Sequence, residues 1–423
     1  MLKPTSIRAI VLLLAVCLAL ELTGLGIVFP ILARKLSATG AGIETLGLSS
    51  IAFSIASLLA APLLGSLADI LGRRKVVLIS FAAYVLAFMG YYLAASGKQF
   101  IGVRVFAGAL TAGLMPAALG MISDISPENE RGRWIGIMSG GSSVGLIFGP
   151  YLGGWLYDHW GLAMPFITAA LLSGLALLVA YTLLPETHYQ RLARQHTTIQ
   201  NASASNSTKS QIQPMLLNWR NTSVPVFSLI GLLTISFLAF FSWAFIEPVL
   251  PFYVYDNLGW TSARFGLSLS GYAVMLVIGE TLLGQLSDKY GRKLVIWLGL
   301  MIHSAQHIAL VSTNSFALIT MGITVAGLGE ALFSPALNAK LLDISPEQYR
   351  GRFIGLRNAA NSLGGLVGPA MAVGVAGLVP AVSIFMIAGG VLLASAFLVL
   401  VTMREARLEG STTRPWQSSI DLS

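Results

Sequence analysis

The segments "GSLADILGRRK" (residues 65–75) and "GQLSDKYGRK" (residues 284–293) are near copies of each other, separated by an offset of 219 residues. A second pair, "DISPENERGRWIG" (residues 124–136) and "DISPEQYRGRFIG" (residues 343–355), repeats at the same offset of 219. Two different motifs that recur at one constant spacing indicate duplication of a whole unit. The chain is therefore predicted to consist of two homologous halves.

The sequence around these motifs is that of a polytopic membrane protein. Of its 423 residues, 55% are hydrophobic and only 10% are charged, whereas soluble domains carry about 25% charged residues. Long apolar segments recur throughout, and backbone in hydrocarbon must be helical. We predict an all-α membrane protein with twelve transmembrane helices in two pseudo-symmetric six-helix bundles. The segments lie near residues 7–33, 45–68, 75–95, 99–121, 134–157, 162–184, 224–253, 263–286, 294–312, 315–341, 353–377 and 380–402.

The basic residues indicate the topology. Of the 26 Lys and Arg residues, twenty fall on the side that holds the N-terminus and four on the other side, so both termini are expected in the cytoplasm. The net charge of +8 is therefore a topology signal, and no nucleic-acid partner is expected. We predict a first bundle (1–185), a polar cytoplasmic linker (186–222), a second bundle (223–403) and a cytoplasmic tail (404–423). The single cysteine, Cys17, excludes a disulfide within one chain.

The repeated segment at residues 65–75 resembles the signature loop of the major facilitator superfamily, and the resemblance covers nearly the whole chain. It implies two bundles that rock around a mid-membrane site. We expect Gly65 to allow close helix approach, and Asp69 to offer its carboxylate to a neighbouring helix N-terminus. The arginines are expected to hold a cytoplasmic gate by charge pairs, or to act as topological anchors. The signature positions are Gly65, Asp69, Gly72, Arg73, Arg74, Gly284, Asp288, Gly291 and Arg292, together with Arg131 and Arg350 of the second repeated motif.

The stretch "GLIFGPYLGG" (residues 145–154) is similar to the antiporter signature of drug-efflux members of that superfamily. Its characteristic positions are Gly145, Gly149, Pro150, Gly153 and Gly154. The second half keeps the first glycines and the proline but replaces the glycine pair by Ala-Val at residues 372–373. This asymmetry favours a functional role over simple packing. We expect the glycines to form a smooth face against the opposite bundle.

Ionisable residues inside membrane helices are candidates for function. Glu21, Arg104, Glu247, Glu280 and Glu330 lie within apolar segments. Glu21 and Arg104 lie at similar depths by helix rise, and the resemblance implies that their helices, the first and the fourth, line a central cavity, so we expect them to form a pair or near-pair. A carboxylate in such a cavity can exchange a proton for a cationic substrate. The sequence leaves open which acid does so. Glu280 is equally compatible with a hydrogen-bonding role at the gate.

Other polar and aromatic residues give weaker signals. His303 and His307, four residues apart, are expected to form hydrogen bonds, and no metal site is predicted. Arg357 is expected to extend toward the cytoplasmic interface. Helix 7 is rich in aromatic residues that suit lipophilic cations. Weak candidates for an aromatic cavity wall are Phe241, Trp243 and Phe245.

Together these features predict a proton-coupled exporter of small lipophilic or cationic compounds, of the drug:proton antiporter type. The chain is expected to be a monomer in the plasma (bacterial inner) membrane, with protons and a small-molecule substrate as partners and no cofactor. Export of one metabolite, such as a sugar or siderophore, is the main alternative. Proton-coupled uptake and a membrane sensor on a transporter scaffold are less favoured. An enzyme or a nucleotide-driven pump is not predicted, because no nucleophile–base set or phosphate-binding loop is present.

Overall fold

A computed structural model of the protein describes residues 6–187 and 225–403. Those residues form twelve long helices and no named strand, as the sequence predicts. The first bundle contains α1 (Ile7–Ala38), α2 (Ile43–Leu71), α3 (Arg73–Leu93), α4 (Gly97–Ile125), α5 (Arg131–Trp160) and α6 (Ala163–Leu183). The second contains α7 (Val226–Asn257), α8 (Ser262–Leu283), α9 (Arg292–Ser312), α10 (Phe316–Asp343), α11 (Arg350–Val375) and α12 (Ala381–Thr402). Residues 188–222 of the predicted linker (186–222) and the whole predicted cytoplasmic tail (404–423) lie outside the described residues.

Eleven of the helices in the described ranges are long and apolar enough to cross a membrane. The twelfth, α11, has 26 residues and so is about 39 Å long at 1.5 Å per residue. It carries three arginines and two asparagines near its start, which makes it more polar than the others. Its length and its place in the duplicated pattern complete the two six-helix bundles.

Prolines interrupt the first helix of each bundle. Pro30 lies in a short 3₁₀ segment, Phe29–Ile31, within α1. In α7 the α-helix ends at Ile246 and resumes at Leu250, with Pro248 in the intervening turn. Proline lacks an N–H and clashes with the preceding turn, which explains both interruptions. The break in α7 places Glu247 at the start of the turn that joins the two helical segments, inside the protein.

The two bundles contact each other on one side of the molecule. We call the side where α1 starts, α6 ends, α7 starts and α12 ends the linker side, and the other the far side. Every cross-bundle hydrogen bond between described residues lies in the far half. Their pairs are Arg34–Trp260, Ser50–Glu247, Tyr151–Ser270, Asp158–Ser262, Asp158–Ala263 and Pro30–Tyr255. We call this set the far-side closure.

Two charged side chains, Asp158 and Arg34, take part in the far-side closure. The Asp158 carboxylate accepts hydrogen bonds from the backbone N–H groups of Ser262 (3.0 Å) and Ala263 (2.8 Å), which stand at the N-terminus of α8. A carboxylate is stabilised at a helix N-terminus by the free N–H groups and the helix dipole. Arg34 donates to the carbonyl of Trp260 (3.0 Å) and lies 3.9 Å from the ring centre of Tyr255. The bundles are therefore joined by a charged cap and a cation–π contact.

On the linker side, the ion pairs of the described residues stay within one bundle. Arg73 pairs with Asp124 (2.6 Å) and Asp69 (3.3 Å), and Arg292 pairs with Asp288 (2.5 Å) and Asp343 (3.2 Å). At Gly65, Gly136 and Gly355, all near this end of the molecule, an added side chain would meet no atom within 4 Å, so the linker side is open in this conformation.

Candidate substrate and proton site

Glu247 lies where the two bundles meet. Its carboxylate accepts hydrogen bonds from the hydroxyl of Ser50 on α2, with O···O distances of 3.1 and 3.3 Å to the two oxygens. One turn before Ser50 in α2, Gly47 packs close to Pro248, the residue that follows Glu247: a Cβ added at Gly47 would lie 3.7 Å from the Cβ of Pro248. The break in α7 thus brings a carboxylate of the second bundle into direct contact with the first bundle.

Arg104 supplies the positive charge near this carboxylate. Its charge acts on Glu247 across the interface, and its guanidinium lies 5.6 Å from the ring centres of both Phe53 and Tyr91. Aromatic faces stabilise a guanidinium that is removed from water. Arg104 is therefore held between aromatic rings of α2 and α3, and among the described residues it forms no ion pair within 4 Å with Glu247.

The predicted pairing of Glu21 with Arg104 is wrong. Glu21 is 1% exposed and accepts a 2.7 Å hydrogen bond from the hydroxyl of Ser173 on α6, while its other carboxylate oxygen is buried without a partner. Similar depth does not determine which face of a helix a residue occupies. Glu21 faces α6, inside the first bundle, and does not line the central space.

A cavity of 390 Å³ lies inside the second bundle and contains Glu330. Arg357 lines the same cavity, so its predicted extension toward the membrane surface is wrong. Its guanidinium instead crosses to α10, where it donates to Asn338 Oδ1 (2.6 Å) and Ser334 Oγ (3.3 Å). Asn338 and Ser334 hold the arginine side chain in the interior, because they would lose these hydrogen bonds if the side chain extended to the membrane surface.

A neighbouring cavity of 520 Å³ lies between the bundles, with walls from α2 and α11. Phe240 lines both cavities and Trp243 lines the first. The prediction for Trp243 therefore agrees with the structure, whereas Phe241 and Phe245 are 6% and 1% exposed and line neither cavity. Their rings stack at 5.4 Å in the apolar core. Of the three predicted aromatic residues of α7, Trp243 therefore lies on the face that lines a cavity, and Phe241 and Phe245 lie on a different face.

The glycine stretch of α5 packs differently from the prediction. Added side chains at Gly145, Gly149 and Gly153 would meet the backbone of α1, for example Gly26 Cα at 2.8 Å from a Cβ at position 149. These glycines therefore serve close packing within the first bundle. Gly154 alone among the four faces the opposite bundle, where a side chain would collide with the carbonyl of Ser262 on α8. Pro150 also reaches α8, since its carbonyl lies against Gly266.

The second half reproduces the shared part of this packing. Gly364 and Gly368 of α11 contact the backbone of α7 as Gly145 and Gly149 contact α1. At the position equivalent to Gly154, Val373 instead packs its methyl group against Gly47 of the opposite bundle. This position, at which the two halves differ in sequence, thus makes a cross-bundle contact in both halves, through a glycine in the first half and a valine in the second.

The signature residues lie at the open linker side. Gly72 and Gly291 have φ angles of 101° and 89°, which explains the requirement for glycine at these helix junctions. Gly65 has open space where a side chain would stand, so the predicted close approach does not occur in this conformation. Arg131 donates to the carbonyl of Ser123 (3.5 Å), and Arg350 pairs weakly with Glu347 (3.7 Å).

The remaining signature and acidic residues have local roles in this conformation. The side chain of Arg74 donates to the carbonyl of Tyr181, and its backbone N–H donates to Glu186 at 3.3 Å. Gly284 lies against the carbonyl of Glu280, one turn earlier in α8. Glu280 itself is exposed near the linker-side end of α8.

The two histidines are parts of hydrogen-bonded packing. His303 contacts the carbonyl of Ala326 (3.0 Å) and Gln306 (3.3 Å), whereas His307 contacts Ser242 (3.2 Å). No group of three or more potential metal ligands occurs among the described residues. The hydrogen-bonding role predicted for the histidines agrees with these contacts.

Several site residues could not be identified from the sequence. Ser50, Ser334, Asn338 and Asn361 are single polar residues in apolar or mixed segments, and serines occur frequently in such helices. Their partners are in other helices, so only the assembled bundle identifies them. Phe240 offered one signal, because it occupies the position equivalent to Glu21 in the second half.

These features define a duplicated twelve-helix membrane transporter. A family model described as Major Facilitator Superfamily matches residues 11–234 and 232–420. The chain belongs to this family, and the architecture indicates a transporter rather than an enzyme.

Known relatives include drug-resistance transporters. The chain is 25% identical over 351 residues to multidrug resistance protein 2 of Bacillus subtilis (strain 168), covering 82% of this chain and 84% of that protein. It is 26% identical over 356 residues to quinolone resistance protein NorA of Staphylococcus aureus, covering 82% and 85%. The fold is similar to that of a bacterial homologue of the human lysosomal transporter Spinster in an inward-facing, unoccupied conformation. There the TM-score is 0.67 at 16% identity, over 95% of this chain and 96% of that one.

Proposed function

We propose that this transporter exports small lipophilic compounds, among them drugs, in exchange for protons. The multidrug and quinolone resistance proteins among its relatives support drug export. The excess of basic residues on the linker side supports assigning that side to the cytoplasm of a plasma (bacterial inner) membrane. With both termini in the cytoplasm, the open cavities face inward, ready to receive substrate from the cell.

The contact between Glu247 and Ser50 is the observation that carries the proposal of proton coupling. An ionised Glu247 attracts the Ser50 hydroxyl and the charge of Arg104, both in the opposite bundle. This attraction favours the far-side closure. Neutralising Glu247 with a proton or with a cationic group weakens it and allows the far side to open. A carrier without substrate and with Glu247 ionised would then remain closed on the far side. Protons could therefore not cross the membrane without export of substrate.

Glu330 is proposed to receive substrate or proton from the cytoplasm. It lines the cavity in the second bundle and lies 14 residues into α10, about 21 Å along the helix, near the middle of the membrane. Glu21 has a different proposed role, because it is sealed within the first bundle and bonded to Ser173. It stabilises helix packing, and the protein acts as a monomer without a bound cofactor.

The proposal is tested in inverted membrane vesicles that contain the protein and a fluorescent reporter of the proton gradient. Addition of dyes, fluoroquinolones or tetracycline to energised vesicles should release protons, and sugars should not. Glu247→Gln and Glu330→Gln should abolish the signal at equal protein levels, whereas Glu128→Gln, at an exposed site on the linker side, should retain it. Proton release by sugars alone would instead identify a metabolite exporter, and release by none of the compounds would contradict proton-coupled drug export.

A further inference from the structure

The cavity in the second bundle has an aromatic wall, and we call this cavity the aromatic slot. The rings of Trp243 and Tyr272 lie 6.4 Å apart at an interplanar angle of 18°, and Phe240 and Phe333 add further apolar surface. Its volume of 390 Å³ falls within the range of roughly 300–1,000 Å³ that is usual for sites of small molecules. The slot therefore suits a planar aromatic compound.

Two opposite charges line this slot on neighbouring helices. Glu330 projects from α10 and Arg357 from α11. Among the described residues they form no ion pair within 4 Å, and the Glu330 carboxylate has no hydrogen-bond partner there. Each charge acts on the other at longer range. Both groups thus remain able to bind a ligand.

Neutral groups hold Arg357 in place without cancelling its charge. Its two terminal nitrogens bond to Asn338 Oδ1 (2.6 Å) and to the side chain and carbonyl of Ser334 (3.3 and 3.4 Å). Its Nε is buried without a partner. A charged guanidinium in the membrane interior is costly unless a counter-ion is near. A planar guanidinium fork is also well matched to a carboxylate. Arg357 is therefore a fixed positive charge for which the anionic group of a bound ligand could serve as counter-ion.

This positive group belongs to the second half alone. The position equivalent to Arg357 in the first half is Met138, which is 1% exposed, and the position equivalent to Glu330 is Thr111, which is 6% exposed. The duplicated architecture therefore needs neither charge. Both are particular to the cavity of the second bundle.

We propose that Arg357 is a specificity-determining residue that binds the anionic group of the substrate. Together with Glu330 it makes the site selective for planar aromatic zwitterions, compounds that carry a carboxylate and an ammonium group. The ammonium faces Glu330, the carboxylate faces Arg357, and the aromatic body packs against the aromatic wall to which Trp243 and Tyr272 belong. This inference rests on the proposed function and narrows its expected substrates from small lipophilic compounds in general to amphoteric ones.

The test compares three probes in proteoliposomes that contain the full chain and an imposed proton gradient. Norfloxacin carries both charged groups, its ethyl ester lacks the carboxylate, and ethidium is a permanent cation. The wild type should transport norfloxacin at least tenfold more efficiently than the ester. Arg357→Gln should lower norfloxacin transport by roughly ten- to hundredfold, as loss of a charge-assisted hydrogen bond implies, and leave ethidium transport within about twofold.

Three further variants make the result interpretable. Arg357→Lys should retain part of the preference for norfloxacin, and Lys98→Gln, which removes an exposed charge at the far side, should behave as wild type. Asn338→Asp keeps Arg357 but places a carboxylate beside its guanidinium, which neutralises the positive charge. This variant should therefore also abolish the preference for norfloxacin over its ester, and it serves as the test if Arg357→Gln does not fold. Equal transport losses for all three probes, or an unchanged preference in both Arg357→Gln and Asn338→Asp, would overturn the assignment of Arg357. Failure of wild-type protein to exchange any probe for protons would overturn the proposed function itself.

Discussion

Replacing Glu247 by glutamine should shift the transporter toward the conformation that is open on the far side. Glutamine keeps an acceptor for the Ser50 hydroxyl but removes the negative charge. Hydrogen bonds to charged groups contribute about 1.5–3 kcal/mol, and neutral ones about 0.5–1.5 kcal/mol. The loss is therefore about 1–1.5 kcal/mol from this bond, to which the lost attraction of Arg104 adds. Since about 1.4 kcal/mol corresponds to a tenfold change in an equilibrium constant, the ratio of far-side-open to far-side-closed molecules should rise roughly tenfold or more.

Double electron–electron resonance spectroscopy measures this ratio, because it gives the distribution of distances between two spin labels. Labels at Lys98 and Leu378, which are exposed on the far side of the two bundles, can be attached after Cys17, the only cysteine, is replaced by alanine. Glu247→Gln should enlarge the population of long distances, Ser50→Ala should shift it less in the same direction, and Glu128→Gln should leave it unchanged. A distance distribution in Glu247→Gln identical to that of the wild type would refute the role of Glu247 in the closure.

Three further predictions follow from other contacts. Asp158→Ala should also enlarge the long-distance population in the same spin-label experiment, because it removes both bonds to the N-terminus of α8, and an unchanged distribution would refute its capping role. Glu330→Gln should abolish substrate-driven proton movement in inverted vesicles while substrate still binds, as measured by fluorescence of bound dye; retained proton movement would contradict its role. Gly153→Val should lower the melting temperature in detergent by disrupting packing on α1. Gly154→Val should instead open the far side with a smaller loss of thermal stability, and the reverse order of stabilities would contradict the packing assignment.

The sequence predicted the fold well because the relevant signals are local or periodic. Apolar length sets each helix, and the offset of 219 residues between the copies at residues 65–75 and 284–293 requires two equivalent halves. Helix ends differed by only a few residues in most cases. The largest difference is in α1, which continues from the predicted end at residue 33 to Ala38, because the 3₁₀ segment at Pro30 lets the helix pass the proline.

The site was predicted less completely, because a residue's function depends on which face of a helix it occupies. Glu21 and Arg104 have similar depths, yet Glu21 faces Ser173 inside the first bundle and Arg104 faces Glu247 across the interface. Arg357 could reach either the membrane surface or the interior, and Asn338, 19 residues earlier, decides for the interior. The rotation of a helix about its axis and the contacts between residues on different helices are set only when the bundles assemble. The identity of the acidic residues was accessible from the sequence, but their partners were not.

The most direct test of proton-coupled export is the release of protons from purified transporter when substrate binds. In weakly buffered detergent solution containing a pH indicator, addition of norfloxacin to the wild-type protein should release protons in proportion to the protein present. The double variant Glu247→Gln/Glu330→Gln, assayed at a norfloxacin concentration high enough to saturate its weakened site, should bind without proton release, whereas Glu128→Gln should release protons as the wild type does. Binding of norfloxacin to the wild-type protein without proton release would contradict the exchange of substrate for protons at these two carboxylates.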